Sequence, residues 1–333
     1  MDRKGGNLLS ISMLKTLLSA RDLDILHAHS GKRLGGIVRT AARIRKLPYV
    51  ISLHGGVIDV PAAETEQMLE PLKGTFEWGR AFGAVLGARR VLEDANAILC
   101  VGENEQQAVQ ARYPEKRVEW LPNGVDAHTF ADGNGRAFRE KHGIPHQRRM
   151  ILNVGRIDPQ KNQLALLSAM PELLRKNADI HLVLIGPVTV ESYGKELLNK
   201  LNDASLYNNV TVLPGLPGGS SELVDAFHAA DIFCLPSRHE PFGIVVLEAW
   251  AAGLPVVAAR VGGIPSFTCD GEDVLHANPD NPASFSKAIE RLLDDRELAR
   301  KIAAMGRHKA RTQFDWGRIA DHLESIYRDL LSN

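Results

Sequence analysis

Short apolar runs alternate with longer stretches of helical periodicity along almost the whole of this 333-residue chain, and that alternation limits the architectures open to it. Residues 23–29, 49–54, 97–101 and 118–121 read as strands in the first part, and residues 150–154, 181–185, 210–213, 231–235 and 255–259 in the second. Between them lie amphipathic stretches such as 34–46, 162–176 and 220–229, whose apolar residues return at helical spacing. Strands this apolar need cover on both faces, which a parallel sheet with helices on each side supplies. The expected fold class is α/β, with doubly wound, Rossmann-like sheets.

A chain of this length suggests two domains. Pro122-Asn123-Gly124-Val125-Asp126 is a turn signature, Asp132-Gly133-Asn134-Gly135 is a second loop, a short helix over 136–143 follows, and then a new strand begins. These signals predict a first domain over 1–125, a second over 126–314 and a terminal helix over 315–333, with Ile319, Leu323, Ile326, Tyr327 and Leu330 on one stripe. The second domain carries five or six candidate strands and the first only about four. A doubly wound domain usually opens on a strand and a glycine-rich turn. Here the chain opens on a helix, so the first domain reads as lacking its start.

Several function classes fall away on composition. Lys and Arg number 40 and Asp and Glu 40, so there is no net charge to drive broad binding to nucleic acid. The three cysteines, Cys100, Cys234 and Cys269, are far apart and give no disulfide framework or paired metal motif. No apolar run reaches the roughly 18 residues of a membrane span, and the Met-Asp-Arg-Lys-Gly-Gly start does not lead into an apolar signal region. The expectation is a cytoplasmic protein. No strand is followed by G-x-G-x-x-G, which argues against a nicotinamide enzyme.

Chemistry gathers in three segments of the second half. In Asn153-Val154-Gly155-Arg156-Ile157-Asp158-Pro159-Gln160-Lys161-Asn162 a buried strand ends and two cations follow. In open parallel sheets ligands bind beyond the carboxyl ends of strands. A planar guanidinium and a compact ammonium there suit a diphosphate, although a solvated charged loop has the same residues. In Pro236-Ser237-Arg238-His239-Glu240-Pro241-Phe242-Gly243-Ile244-Val245-Val246-Leu247-Glu248-Ala249 a strand gives way to a helix near Phe242 or Gly243. Glu240 then lies in the loop and Glu248 about two turns down an apolar helix. A carboxylate at Glu248 needs donors, which a ribose diol or a structural ion pair supplies. Glu240 is open to reading as a sugar contact or a helix cap, and the helix N-terminus offers free N–H groups to phosphate or sugar oxygens. In the third segment, Ala251-Ala252-Gly253-Leu254-Pro255-Val256 and Val261-Gly262-Gly263-Ile264-Pro265, glycines permit close backbone approach.

In the first half, Ser52-Leu53-His54-Gly55-Gly56 brings His54 to the carboxyl end of its strand. His27 and His29 end the neighbouring strand and, two residues apart, share one face. A metal pair has to be considered there, but no carboxylate or cysteine cluster accompanies them. Asp22-Leu23-Asp24 spells the D-x-D of metal-dependent sugar transferases, but it precedes its strand and reads as a turn.

Taken together these stretches resemble family 4 of the retaining glycosyltransferases (glycosyl transferase group 1), which have the GT-B fold of two Rossmann-like domains facing across a cleft. The matching residues are Gly155-Arg156 with Lys161-Asn162, Pro236-Ser237 through Glu240 to Glu248, Ala252-Gly253-Leu254-Pro255-Val256, Gly262-Gly263-Ile264-Pro265, Asn123-Gly124-Val125-Asp126 and Leu53-His54-Gly55. The resemblance implies a donor that is a UDP-, GDP- or ADP-sugar, an acceptor that is a glycan, a lipid-linked or a small-molecule hydroxyl, no metal and no cofactor. It implies that Arg156 and Lys161 bind the donor diphosphate, that Glu248 holds the ribose hydroxyls and that Glu240 contacts the transferred sugar. It puts Phe242, Gly243, Ile244, Gly215 and Leu216 among the donor-binding positions, and His54 at the reacting sugar from the other domain. The catalytic set is then His54, Glu240, Arg156 and Lys161, and the terminal helix crosses back to the first domain. Two departures stand out: the opening strand with its glycine-rich loop is not found, and Ser266 occupies the place after G-G-x-P where the family often has an acidic residue. The rival readings are a non-catalytic scaffold of this fold that retains the donor cleft, and a nucleotide-sugar epimerase, which the spacing of Glu240 and Glu248 disfavours.

Residues 75–94 read as a helix with Gly79, Gly83 and Gly87 on one stripe, Phe76, Trp78 and Phe82 near one end, and Arg80, Arg89 and Arg90 for charge. Aromatic and basic residues together suit an interface, so residues 56–92 are expected to shape the acceptor site and to rest peripherally on the inner face of a membrane. Close helix packing through the glycine stripe is the alternative.

Overall fold

The computed structural model describes residues 10–31, 33–55, 88–177, 179–202 and 206–332. Most of the stretch expected to meet the acceptor, residues 56–87, lies outside the described residues. The chain divides into two compact units, residues 1–122 with 320–333, and residues 123–319.

The first unit holds a four-stranded sheet in the order β1 (Leu26–Ala28), β2 (Tyr49–Leu53), β3 (Ala97–Cys100), β4 (Arg117–Trp120). All three pairings are parallel. Every residue of β2 and β3 is buried, which is why the sequence there is apolar apart from Ser52, with no alternation. β1 is different: Leu26 and Ala28 are buried while His27 between them is half-exposed. The helix Arg33–Arg45 packs its Val38, Ala41 and Ala42 into this core. Its Arg39 is buried and donates from Nε to Asp94 at 2.7 Å, so this buried cation has an anion beside it.

The second unit holds six parallel strands in the order β10 (Leu275–Ala277), β9 (Val256–Ala259), β8 (Ile232–Leu235), β5 (Arg149–Val154), β6 (Ile180–Ile185), β7 (Val210–Leu213). The chain therefore runs outward from β5 through β6 to β7, returns to lie beside β5 as β8, and then runs outward the other way. The strand order reverses between β5 and β8, and in such sheets the crevice beyond the carboxyl ends at that reversal takes the ligand.

Helices cover this sheet because their caps and apolar faces are written locally. Ser220 accepts the N–H of Leu223 to start Ser221–Ala229, and Asp295 accepts those of Glu297 and Leu298 to start Arg296–Thr312. The helix Ile244–Ala251 is nearly all apolar because it is buried between the sheet and Arg296–Thr312. Its Trp250 is fully buried, with Nε1 donating to the Asp273 carbonyl at 3.0 Å. A Cβ at Gly306 would stand 2.3 Å from that ring, so only glycine lets the two helices approach this closely.

Both units are parallel α/β sheets; the second is doubly wound, while the described strands of the first run in sequence order without a reversal. One strand escaped the sequence reading, β10, which is three residues long and has the half-exposed His276 at its centre. Among the described residues no helix is long and apolar enough to cross a membrane.

Candidate active site

The β5–β8 reversal brings together two of the three segments singled out in the sequence. β5 ends at Val154 and runs into Gly155-Arg156; β8 ends at Leu235 and runs into Pro236-Ser237 and on to Glu240. Gly186 after β6 packs on this turn, and a Cβ there would lie 1.8 Å from the Gly155 carbonyl oxygen.

Lys161 Nζ lies 2.5 Å from Glu240 Oε2, with side chains only 15% and 8% exposed. Ser237 Oγ donates to the same carboxylate oxygen at 3.1 Å. Glu240 is thus not a helix cap: Ile244–Ala251 starts from Gly243, in the left-handed region at φ 99°, with no side-chain cap. The third segment enters through its glycines. Gly263 N donates to the Glu240 carbonyl at 2.9 Å, and at Gly262, with φ 52°, a Cβ would stand 2.1 Å from that same oxygen. Glycine there lets the loop after β9 press against the loop that carries Glu240. Ser266, inside the short helix Ile264–Phe267, donates at 2.6 Å to the Gly263 carbonyl.

Arg156 is half-exposed and is held from its own loop, with Nη2 3.3 Å from Asp158 Oδ2 and 3.0 Å from Gln160 Oε1. Asp158 is the residue that the sequence reading passed over. It is buried, it accepts the Lys161 backbone N–H at 2.9 Å, and it accepts the Thr189 hydroxyl at 3.1 Å. One carboxylate therefore shapes the turn carrying both cations. Its signal in the sequence was Asp158-Pro159, a turn pair. Asn162 follows in the left-handed region, φ 56°, and ties this loop to the end of β8 by donating to the Pro236 carbonyl at 3.1 Å.

Glu248 lies in the second turn of Ile244–Ala251 and forms no ion pair among the described residues. Burial pushes its carboxyl up to about 7. It lines a cavity of about 400 Å³ together with Ile244, with Gly218 and Gly219 from the loop after β7, and with Gly124 and Trp316. Gly215 and Leu216 lie earlier in that loop and do not line the cavity; Gly215 packs instead on Pro187, where a Cβ would be 2.7 Å from Cδ. Phe242 is buried against Phe267, ring centroids 4.6 Å apart, so it is a prop under the Glu240 loop.

His54 directly follows β2 in the first unit, and its Nε2 is 3.0 Å from His29 Nδ1. Burial and the neighbouring His29 lower its pKa. His27 is held at both ring nitrogens, by Tyr327 Oη at 2.5 Å and Ser52 Oγ at 2.7 Å. With both nitrogens occupied His27 is not a metal ligand here, and among the described residues no group of three metal-binding side chains converges.

With this geometry in hand, the comparisons with known proteins are specific. The family described as Glycosyl transferases group 1 matches residues 135–309, and that described as Glycosyltransferase Family 4 matches residues 2–129. The D-inositol 3-phosphate glycosyltransferase of Corynebacterium glutamicum is 28% identical over 327 residues, covering 93% of this chain and 73% of that protein. The protein of the same name from Kineococcus radiotolerans is 34% identical over 264 residues, covering 74% of this chain and 60% of its own length. The chain thus spans well short of the full length of both. Among solved structures, Anabaena HepE in complex with UDP superposes with a TM-score of 0.78 at 20% identity, covering 95% of this chain and 81% of that one. At that identity the likeness speaks for the fold, which is GT-B.

Proposed function

The chain belongs to the group 1 glycosyl transferases, and from that premise we propose that it moves a sugar from a nucleotide-diphosphate sugar to an acceptor hydroxyl, with retention and without a metal. The observation that carries this reading is the Lys161–Glu240 pair at the β5–β8 reversal, with Arg156 on the same loop. The donor diphosphate sits over Arg156 and Lys161. As the bond from the sugar to the phosphate breaks, charge grows on the departing phosphate, and the two cations stabilise it. They supply the neutralisation that other sugar transferases draw from a divalent ion. Glu240, released from Lys161 when phosphate takes its place, accepts hydrogen bonds from the sugar. Glu248 takes the ribose diol in its cavity, with the nucleoside lying towards Gly218 and Gly219; Gly215 and Leu216, which the resemblance puts at the donor, lie earlier in the same loop. Phe242, Gly243 and Ile244 form the floor at the helix start.

In this reading the second unit binds donor and the first unit, with His54, meets the sugar and the acceptor. The acceptor is a glycan, a lipid-linked or a small polyol hydroxyl; the names of the relatives make an inositol phosphate the first to test. We place the reaction in the cytoplasm, at the inner face of a membrane where the acceptor is lipid-linked. The rival reading is a binding subunit that retains the donor cleft without turnover. A thermal-shift screen of UDP, GDP and ADP and their sugars, with and without chelator, tests the site, because a ligand that binds only the folded state raises the midpoint. Release of nucleoside diphosphate on adding an acceptor then separates the transferase from the binding subunit. No midpoint shift with any of these nucleotides, or a shift abolished by chelator, would count against the proposal.

A further inference from the structure

Three imidazoles stand in a column at the carboxyl ends of β1 and β2. The rings of His27 and His29 are stacked with centroids 4.2 Å apart, and those of His29 and His54 with centroids 5.3 Å apart. The base of the column is fixed, because Tyr327 and Ser52 hold both nitrogens of His27. Its upper end is not: His29 and His54 are exposed, and the contact tying one to the other is His29 Nδ1 to His54 Nε2 at 3.0 Å.

We propose that His29 is a positioning residue for His54, the two rings sharing a single hydrogen so that His54 stays neutral and offers only Nδ1 to a ligand oxygen. Two nitrogens 3.0 Å apart cannot both carry a hydrogen directed at the other, so one donates and the other accepts. If His29 donates, the remaining hydrogen of neutral His54 is on Nδ1, and His54 is a donor. A proton on His54 Nε2 would set two N–H groups against each other, beside a third imidazole stacked on His29. Burial and these neighbours hold His27 down to about 4, and the same causes lower His54, so the column resists charge from either end. Besides the imidazoles, the titratable group facing the column among the described residues is the Tyr327 phenol, which burial keeps protonated. His54 then acts as a fixed hydrogen-bond donor and not as an acid or base. The ligand end of this statement depends on the donor site proposed above; the pairing of the two rings does not.

The test is long-range 1H–15N correlation of the imidazole rings in the 15N-labelled full chain, followed against pH, with His54→Gln to assign the signals. In the unaltered protein His54 is expected to show a protonated Nδ1 and an unprotonated Nε2 through neutrality. In His29→Ala its titration midpoint is expected to rise, because the His29 contribution that lowers it is gone, and its two tautomers to mix. His29→Gln, whose amide N–H can still donate to Nε2, should keep the Nδ1–H tautomer, and it stands in if the alanine variant does not fold. An unchanged midpoint and tautomer ratio in His29→Ala would overturn the proposal, as would a His54 protonated on Nε2 in the parent. Adding UDP-glucose should shift the His54 Nδ1 signal. The paired pattern without that shift sustains the role of His29 and counts against the donor site alone.

Discussion

The Lys161 ammonium and the Glu240 carboxylate meet at 2.5 Å although 79 residues separate them, and both side chains are nearly out of water. Each is the other's main source of solvation, with Ser237 adding one donor. Removing one leaves the other buried and unpaired, at a cost of roughly 3–5 kcal/mol for such pairs. Lys161→Met is therefore expected to destabilise the chain more than Lys161→Met with Glu240→Gln. Urea unfolding of the two single variants and the double variant measures the coupling, expected between about 0.5 and 3 kcal/mol. Additive effects would mean that the pair is not formed in solution.

Glu248 gives a pH dependence whose sign follows from its environment. Its carboxyl titrates near 4.5 when unfolded and is pushed up to about 7 by burial. Between those values the native state keeps a proton that the unfolded chain has lost, so stability falls as pH rises through this window and then levels off. The full penalty is at most on the order of 3 kcal/mol. Glu248→Gln is expected to match the parent near pH 4 and to exceed its stability near pH 8. A ribose diol donating to the carboxylate favours its ionised form, so nucleoside binding near neutral pH should expel a proton. Calorimetry in two buffers of different ionisation enthalpy reads that proton; uptake in place of release would remove Glu248 from the ribose site.

These two carboxylates illustrate how much was legible in the chain. β5 and β8 are legible as apolar runs, and the strand-end rule then points to Arg156, Lys161 and Glu240. What periodicity could not supply was partnership. Glu248 was open to an ion pair that none of the described residues provides, and Glu240 to a capping role that Gly243 leaves empty. Asp158 looked like part of a turn, yet it organises the cation loop by accepting from the Thr189 hydroxyl and the Lys161 backbone N–H. The side-by-side placement of His27 and His29 followed from the two-residue strand repeat, whereas the reach to His54 needed the parallel register of β1 on β2. β10 stayed hidden because three residues around a histidine carry no pattern.

Arg156 differs from Lys161 in being half-exposed and anchored only to its own loop, 3.3 Å from Asp158 and 3.0 Å from Gln160. Its loss should leave the fold intact and act on the ligand. Arg156→Ala is expected to weaken nucleoside diphosphate binding by about 1.5–3 kcal/mol, the value of a charge-assisted contact, and to leave nucleoside binding unchanged. Titration calorimetry with UDP and uridine makes the comparison. Equal losses for both would place the diphosphate elsewhere.

The second unit ends on an aromatic cluster. Phe314 is buried, with its ring centroid 5.7 Å from Phe267, 6.3 Å from Phe242 and 6.4 Å from Trp250. Its carbonyl accepts the Val125 N–H at 2.8 Å, and Trp316 N donates back to the Val125 carbonyl at 3.2 Å, so the entry and exit of the unit are stitched together. The Trp316 ring covers Gly124, where a Cβ would stand 2.7 Å away, and the same ring lines the cavity that holds Glu248. A fragment of residues 123–319 contains all of these contacts and is expected to unfold cooperatively and to bind nucleoside diphosphate. Ending the fragment at residue 313 removes the Phe314 ring from the cluster, for which truncation of a buried phenylalanine costs about 3–5 kcal/mol, and opens the cavity wall. Phe314→Ala in the full chain should lower stability by a similar amount while leaving Arg156 and Lys161 in place, and so reduce ligand affinity less than Arg156→Ala does. Urea unfolding and calorimetry on the two fragments check both parts. A 123–319 fragment that folds but fails to bind would show that the donor site draws on residues of the first unit.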